Sequence, residues 1–568
     1  MQFKADGESI LPKSIQSLRG YSLKTFGADL TAGLTVGLVA LPLAMAFAIA
    51  SGVPPQSGIY CAIIAGFIIS ALGGSRTQIG GPTGAFVVVI AGIIQTHGID
   101  GLFMCTLIAG VMLILLGVTG LGTAVKYFPR PVVIGFTNGI AVLIASTQIK
   151  DFFGLTIVHV PGDFIGRLGA IGAHWQSLSP LTTLVSAATM LLLIVMMRFS
   201  RRVPGSIVAL FLGTGLAWAL QLPLETIGTR FGGVPSGLPS LHFPKFRLDL
   251  ILPLLSPALT VAMLGAIESL LSAVVADGAT GDHHNPNVEL VAQGIANVMS
   301  PLFGGLPATG AIARTATNIR SGAKTPVAGM IHALTLLAIL VFAASLAAHV
   351  PLAVLSAILF IVAWNMGEWR QIPEILKLSR ADIAVWLITF TLTVFADLTV
   401  AVEAGMMLAA LMYIRKVTRT TTVARVTPDY VEQGVAHSLQ CHALPDGVAV
   451  YRIHGPFLFG ATDKLSLIDE EWDALPRVVM LRLRNMTAID ATGLHALMHL
   501  ADRLRASGRH LVLCGMRDQP ERLMSQAEFH RTLGEHNLQP TLESAIVRAK
   551  ELLAEGPPEG AATAGLRH

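Results

Sequence analysis

Apolar stretches of membrane-spanning length recur along most of this chain, and they restrict its fold more than any other feature. They run from about Asp29 to Arg415, and a helix needs roughly 20 apolar residues to cross a bilayer. Only 13% of the 568 residues are charged, whereas a soluble domain carries about 25%. The sequence therefore predicts a polytopic α-helical membrane domain with about 14 spans.

The basic residues are distributed unevenly among the predicted loops. If the polar N-terminal segment 1–28 is cytoplasmic, short loops on that side hold most of the lysines and arginines, as is usual for cytoplasmic loops. These residues include Arg76, Arg130, Arg198, Arg320, Lys324, Arg370 and Arg380. We therefore expect both termini to be cytoplasmic.

Two Gly/Pro-rich motifs are related by an internal repeat. A single offset pairs Leu34-Thr-Val36 with Leu259-Thr-Val261, and also Gly80 and Pro82 with Gly305 and Pro307. A short apolar run follows each motif, at 85–95 and 311–320, and neither run is long enough to cross a bilayer as a helix. Such matched, interrupted segments are typical of the discontinuous helices of transporters. About seven spans separate the copies, which predicts two inverted repeats.

The two short runs also predict a binding site. A helix that starts near the bilayer midplane presents free N–H groups and the positive end of its dipole. Two such starts facing each other form an anion site, to which the hydroxyls of Thr83 and Thr309 can add donors. The alternative is that each Gly/Pro stretch is an ordinary loop at the end of a full helix.

Glu268 lies deep in the otherwise uncharged span 259–276. An acid at the membrane centre costs roughly 2.5 to 3.5 kcal/mol on insertion scales and is usually functional or paired. Glu268 can carry a proton, or it can bind a sodium ion with Ser272, one helical turn away. The alternative is a permanently neutral acid that bonds a neighbouring helix.

Arg314 lies one turn into the second short run. Its guanidinium can clamp a carboxylate or a tetrahedral oxyanion in a fork of N–H donors. The alternative role, pairing with Glu268, is also open, and the two roles can alternate during transport.

The motifs around these residues resemble those of the sulfate permease (SulP) family of anion transporters. The clearest matches are 265–278 and 304–315, supported by 41–48, 51–60 and 80–86. The resemblance implies two inverted seven-span repeats, a core that moves against a gate like an elevator, and a dimer in a bacterial inner membrane. It also implies a substrate site between the third and tenth spans, formed here by Thr83, Gly84, Ala85, Ala311, Ala313 and Arg314, with Glu268 nearby.

Family resemblance leaves the transported anion open, because sulfate, bicarbonate, chloride, oxalate and dicarboxylates are all carried within the family. Residues 148–152 and 363–366 resemble the bacterial C4-dicarboxylate transporters of the family. This likeness favours succinate or fumarate uptake with protons, and a sulfate or bicarbonate symporter, coupled to sodium or protons, or an anion exchanger is the alternative.

The C-terminal region has the composition of a soluble α/β domain. Buried strands are predicted at 448–453, 478–483 and 511–514, with amphipathic helices after Thr492 and at 542–553. Asp490-Ala-Thr-Gly493 resembles the regulatory loop of STAS domains, in which a hydroxyl residue can be phosphorylated. Thr492 is therefore a candidate regulatory residue, with helix capping as the alternative, and a regulatory protein can dock there.

The predicted domain order is 1–28, a cytoplasmic segment; 29–415, the transport domain; 416–446, a linker; 447–555, the STAS domain; and 556–568, a disordered tail. No metal cluster, nucleophile with a base or phosphate-binding loop is evident, so we predict no enzyme activity, cofactor, metal or nucleic-acid partner. We interpret the four scattered cysteines as reduced residues that contribute to packing. An anion channel and a STAS-linked sensor are the rival functions.

Overall fold

A computed structural model of the protein describes residues 11–18, 20–123, 129–157, 160–199, 204–241, 247–396, 398–426 and 444–555. The predicted tail 556–568, the start of segment 1–28 and most of the linker lie outside these ranges. The chain forms two compact units, Met1–Ala409 and Ala410–His568.

Helices build the first unit, and the last of them continues past Ala409 into the second unit. They are α1 (Lys13–Leu18), α2 (Leu23–Ala50), α3 (Pro55–Leu72), α4 (Phe86–Val118), α5 (Arg130–Phe153), α6 (Phe164–Ala173), α7 (Pro180–Phe199), α8 (Gly205–Ala219), α9 (Ile227–Phe231), α10 (Ile251–Thr280), α11 (Pro286–Leu302), α12 (Ile312–Arg320), α13 (Val327–Ala347), α14 (Leu352–Met366), α15 (Ile372–Ile375), α16 (Arg380–Phe395) and α17 (Leu398–Thr420). Two short strands, β1 (Gly80–Gly81) and β2 (Thr309–Gly310), precede α4 and α12.

Eight of the helices in the described ranges are long and apolar enough to cross a membrane. Several others are short, and α4 is divided at Gly98, whose φ of 70° and ψ of −172° are not helical. Counting α4 as two segments, the elements α2 to α8 without α6 form one set of seven, and α10 to α17 without α15 form a second. The predicted polytopic helical fold is confirmed.

The packing of the two sets shows how they are related. Helix α2 packs on α13, and its counterpart in the second set, α10, packs on α4. Helix α3 likewise packs on α13, and its counterpart α11 packs on α4. Each set therefore supplies the same pair of contacts to the other.

Two buried carboxylates tie loops of one set to helices of the other. Asp29 of α2 accepts hydrogen bonds from the backbone N–H groups of Lys324 and Thr325, at 2.7 and 3.1 Å. Glu289 of α11 accepts from the N–H groups of Gly74 and Ser75, at 2.9 and 3.2 Å. These bonds satisfy donors that would otherwise be buried without a partner.

We expect Glu289→Ala to lower the free energy of unfolding by about 3 kcal/mol, because a hydrogen bond to a buried charge contributes roughly 1.5 to 3 kcal/mol. Thermal unfolding of the purified protein in detergent measures this. Glu374→Ala is the control, since the Glu374 side chain is exposed; equal effects of the two changes would contradict the assignment.

The second unit contains a five-stranded sheet in the order β3-β4-β5-β6-β7. Its strands are β3 (Thr422–Arg425), β4 (Val448–Phe457), β5 (Val478–Ile489), β6 (His510–Cys514) and β7 (Leu538–Gln539), and its helices are α18 (Ser466–Glu470), α19 (Ala491–Ala506), α20 (Asp518–Gln526), α21 (Phe529–Leu533) and α22 (Leu542–Glu555). Strand β3 is antiparallel to β4, and the other pairs are parallel.

Alternation along the strands gives this sheet two apolar faces. Leu481 and Leu483 of β5 belong to one buried cluster, whereas Val478 and Met480 belong to the cluster that packs on α22. The predicted strands and helices of this domain are confirmed. The sheet starts before the expected boundary at Gly447, because Thr422–Arg425 pair with β4.

Candidate anion-binding site

The two Gly/Pro motifs meet at a crossing of strands β1 and β2. Gly80 pairs with Gly310 and Gly81 with Thr309 in antiparallel register, and the Ala311 N–H donates to the Ile79 carbonyl at 2.8 Å. A Cβ on Gly81 would collide with the Arg314 guanidinium, and the φ of 146° at Gly81 also favours glycine. Gly81 is therefore needed where β1 passes the Arg314 side chain.

The two motifs differ in how far the paired strand lies from the helix that follows it. Gly80 and Gly81 pair with Gly310 and Thr309. Residues 82–85 separate β1 from α4, whereas Ala311 alone separates β2 from α12. The connections in the two halves therefore differ in length.

Helices α4 and α12 both begin at this crossing without a side-chain cap. Their N-cap positions are Ala85 and Ala311, and neither side chain accepts a hydrogen bond from the helix. Alanine is a poor N-cap because it has no acceptor atom. The first N–H groups of both helices are thus free of side-chain caps, and both dipoles place positive charge at the crossing.

Glu268 of α10 is half-buried beside the first motif. The Thr83 hydroxyl donates to its Oε2 atom at 2.7 Å. Thr83 itself is 8% exposed. A carboxylate of the second half is thereby hydrogen-bonded to the loop that precedes α4 in the first half.

Ser272 does not join Glu268 in this geometry. Its hydroxyl donates to the Thr315 hydroxyl at 3.1 Å, and the Thr315 oxygen also accepts the Ile79 N–H at 3.0 Å. Ser272 therefore supports the strand crossing through Thr315. Thr309 has a similar role, since its hydroxyl donates to the Gly265 carbonyl at 2.8 Å.

Arg314 is a buried cation that keeps free hydrogen-bonding capacity. Its side chain is 2% exposed, and Nη2 donates to the Pro82 carbonyl at 2.7 Å. Nη1 has no hydrogen-bond partner among the described residues. The guanidinium bonds the loop before α4 rather than Glu268, so it remains able to bind an anion.

The remaining predicted residues lie around the same crossing. Ala85 and Ala311 are buried, whereas Ala313 is exposed on the first turn of α12. A Cβ on Gly84 would lie close to Phe47 of α2, Ile144 of α5 and Met366 of α14. All six residues predicted to bind substrate therefore lie at or beside the crossing. Sequence reasoning missed the Pro82 carbonyl and Thr315, whose partners are distant in the chain.

Thr492 lies in the second unit, in the first turn of α19, and its side chain is exposed. The helix is capped by Asp490, whose Oδ1 accepts the Gly493 N–H at 2.8 Å and whose Oδ2 accepts the Phe459 N–H at 3.0 Å. The Thr492 hydroxyl is consequently accessible at a helix N-terminus, where a phosphate would be favoured.

Replacement of Asp490 by alanine should destabilise the second unit by about 1 to 2 kcal/mol, because it removes an N-cap. Thermal unfolding of the full chain, followed by a fluorophore attached to this unit, measures the change. Asp502→Ala changes an exposed aspartate of the same helix and should have little effect. A stable Asp490→Ala protein would show that the cap contributes little.

No group of three or more His, Cys, Asp or Glu residues that could hold a metal occurs in the described parts of the chain. Cys61, Cys105 and Cys514 are buried and form no disulfide among the described residues, while Cys441 lies outside them. Burial raises the pKa of the Cys514 thiol to about 11.

Comparison with known proteins gives the family of the chain. Residues 26–389 match the sulfate permease family model, and residues 443–545 match the STAS domain model. A putative sulfate transporter of Bacillus subtilis, YvdB, is 40% identical over 91% of this chain and 97% of its own length. The bicarbonate transporter BicA of Synechocystis is 32% identical over 94% of this chain and 95% of its own length.

A solved structure confirms the fold. The murine Slc26a9 anion transporter in its inward-facing state superposes with a TM-score of 0.85 at 18% identity, covering 95% of this chain and 94% of that one. With the family models matching both units, this multi-pass membrane protein belongs to the sulfate permease family and carries a C-terminal STAS domain.

Proposed function

We propose that this protein is a secondary active transporter of small anions. The observation that carries this proposal is the buried Arg314 guanidinium, whose Nη1 has no partner among the described residues, beside two helix starts without side-chain caps. Backbone N–H groups, converging helix dipoles and a fixed cation together favour an anion. An oxyanion accepts several of these donors at once.

The proposed coupling of anion transport to a proton or sodium ion rests on two ionisable side chains that bond consecutive residues. Arg314 bonds the carbonyl of Pro82, and Glu268 bonds the hydroxyl of Thr83. A change of charge at Glu268, by a proton or a sodium ion, therefore acts on the same loop that Arg314 holds. An anion at Arg314 and a cation at Glu268 reduce each other's electrostatic cost.

Movement of the loaded site is proposed to follow an elevator-like mechanism. Gly84 lies against Ile144 and Met366 of α5 and α14, and these two helices pack on each other. Gly84 and Ala85 are small residues, so no large side chain of this loop would block a sliding movement of the crossing past α5 and α14. A homodimer with cytoplasmic termini completes the proposed arrangement.

The relatives favour an inorganic oxyanion as substrate, because their names describe transport of sulfate and bicarbonate. Succinate or fumarate uptake, predicted from residues 148–152 and 363–366, is the second candidate. One observation favours keeping this candidate. Met366, the last residue of the segment 363–366, lies against Gly84 at the site.

Uptake by the purified protein in liposomes tests this function. Labelled sulfate, bicarbonate and succinate are supplied separately, each with and without inward proton or sodium gradients. Accumulation of one anion above its equilibrium level, driven by one gradient, is the expected result. Uptake that only equilibrates the anion would indicate a channel instead, because a channel does not need a coupling acid.

The STAS domain is proposed to be regulatory. The exposed Thr492 at the N-terminus of α19 offers a phosphorylation site or a contact for a regulatory protein. No cofactor or catalytic step is part of the proposal.

A further inference from the structure

Helices α3 and α13 pack closely behind the strand crossing. A Cβ on Gly66 of α3 would lie 3.7 Å from Nε2 of His332, and a Cβ on Gly329 of α13 would collide with the Ser70 hydroxyl. Gly329 thus makes room for the Ser70 hydroxyl between the helices, and the His332 ring lies beside Gly66. We call the zone formed by Gly66, Ser70, Gly329 and His332 the α3–α13 seam.

The seam contains polar atoms that lack protein partners. His332 is 0% exposed and Ser70 is 3% exposed. The Ser70 hydroxyl has no hydrogen-bond partner among the described residues, and the His332 ring has no side-chain partner there. The Val36 backbone lies near enough to interact with one ring nitrogen, which leaves the other nitrogen free of partners in the described parts of the chain. Buried polar groups nearly always bond to protein or to ordered water, since leaving one unsatisfied costs about 1 to 3 kcal/mol.

The same strip of α3 also approaches the anion site. A Cβ on Gly81 would lie 2.5 Å from Nη1 of Arg314 and 3.5 Å from the Cα of Ala62, whereas a Cβ on Gly66 would lie 3.1 Å from the Gly80 carbonyl oxygen. Ala62 and Gly66 are one helical turn apart, about 6 Å along α3. His332 and the unpartnered Nη1 of Arg314 therefore approach neighbouring turns of one helix.

The chemistry of the seam favours water over an ion. The seam residues carry no carboxylate, and the positive Arg314 lies beside them, so a cation would be repelled. A water molecule can bond the ring nitrogen of His332 that Val36 does not approach, and it can accept from Nη1 of Arg314. Polar partners of this kind meet the hydrogen-bonding requirement of a buried water.

We propose that the α3–α13 seam binds ordered water, and that His332 acts through this water to position the Arg314 guanidinium for the anion. His332 is then a positioning residue for anion binding. Its effect on transport rests on the proposed function, whereas the water site can be tested without any substrate.

Hydroxyl-radical labelling by X-ray radiolysis, read by mass spectrometry, tests the water site in the full chain in lipid nanodiscs. Radicals formed from bound water oxidise the adjacent side chain, so His332 should be oxidised although it is buried. Oxygen from H₂¹⁸O should enter His332 more slowly than His349, which is exposed. Labelling of His332 no stronger than that of Leu336, buried on the same helix, would overturn the proposal once both yields are divided by the reactivity of the free amino acid toward the hydroxyl radical.

Uptake kinetics test the positioning role, with the anion that the wild-type protein accumulates. His332→Leu removes both ring nitrogens and should raise KM about tenfold, the loss of one hydrogen bond to a charged group, with little change in Vmax. His332→Gln keeps a donor and an acceptor and should stay within about twofold of wild type. His349→Gln is the matched control.

An unchanged KM in His332→Leu, or equal effects of the Leu and Gln variants, would overturn the positioning role. If the wild-type protein carries none of the three anions, the proposed function fails, and the labelling experiment still decides whether the seam holds water.

Discussion

Replacing Arg314 by alanine is expected to lower Vmax/KM for the transported anion by about 100-fold. Removing one partner from a buried, hydrogen-bonded charge pair costs roughly 2 to 5 kcal/mol, and 2.8 kcal/mol corresponds to about 100-fold. The loss should appear mainly in KM, because Nη1 of Arg314 is a charged donor at the crossing that has no hydrogen-bond partner in the part of the chain that the structure describes. Initial rates of labelled anion uptake into liposomes measure both parameters.

Arg320→Ala is the matched control for this change. Arg320 lies on the same short helix, but its side chain is exposed and bonds the Ala316 carbonyl. Arg314→Lys should give an intermediate KM, since lysine keeps the charge and loses the planar fork. If the Arg314→Ala protein remains folded and binds the anion as the wild type does, Arg314 is not part of the anion site.

The second large effect is expected for Glu268→Gln, which should abolish gradient-driven accumulation. Glutamine fits the same space and can still accept the Thr83 hydroxyl, but it cannot take up a proton and lacks the charge that holds sodium. Exchange of labelled for unlabelled anion across the membrane should persist, because the Arg314 site is unchanged.

Two measurements separate these effects: accumulation against a gradient, and exchange at equal anion concentration on both sides. Glu225→Gln changes an exposed acid and should leave both intact. Accumulation by Glu268→Gln at the wild-type level would show that coupling resides elsewhere, and the loss of both activities would indicate a role in folding or in anion binding.

The fold was predictable to a large extent because the relevant signals are local. Spans are recognisable from their length and hydrophobicity, and Glu268 and Arg314 stand out because charges are rare inside apolar segments. The start of α12 at Ile312 also agrees with the predicted short run, since Gly310 and the motif before it interrupt the helical pattern.

The hydrogen-bond partners of the site residues could not be predicted from the sequence. Thr83 and Glu268 are 185 residues apart, and Pro82 and Arg314 are 232 apart. Such pairs depend on the close packing of the two halves, which no local pattern encodes. Ser272 illustrates this, since helical spacing groups it with Glu268 while packing brings it to Thr315.

The burial of the cysteines makes the chain convenient for reporter chemistry. Cys61, Cys105 and Cys514 are buried, and the Cys514 thiol, with its pKa raised to about 11, reacts slowly because thiolate is the reactive form. A background in which only Cys441 is removed is therefore a natural starting point. A cysteine introduced at the exposed Ala313 would then report, by its rate of maleimide modification from either side of the membrane, which solvent the mouth of the site faces.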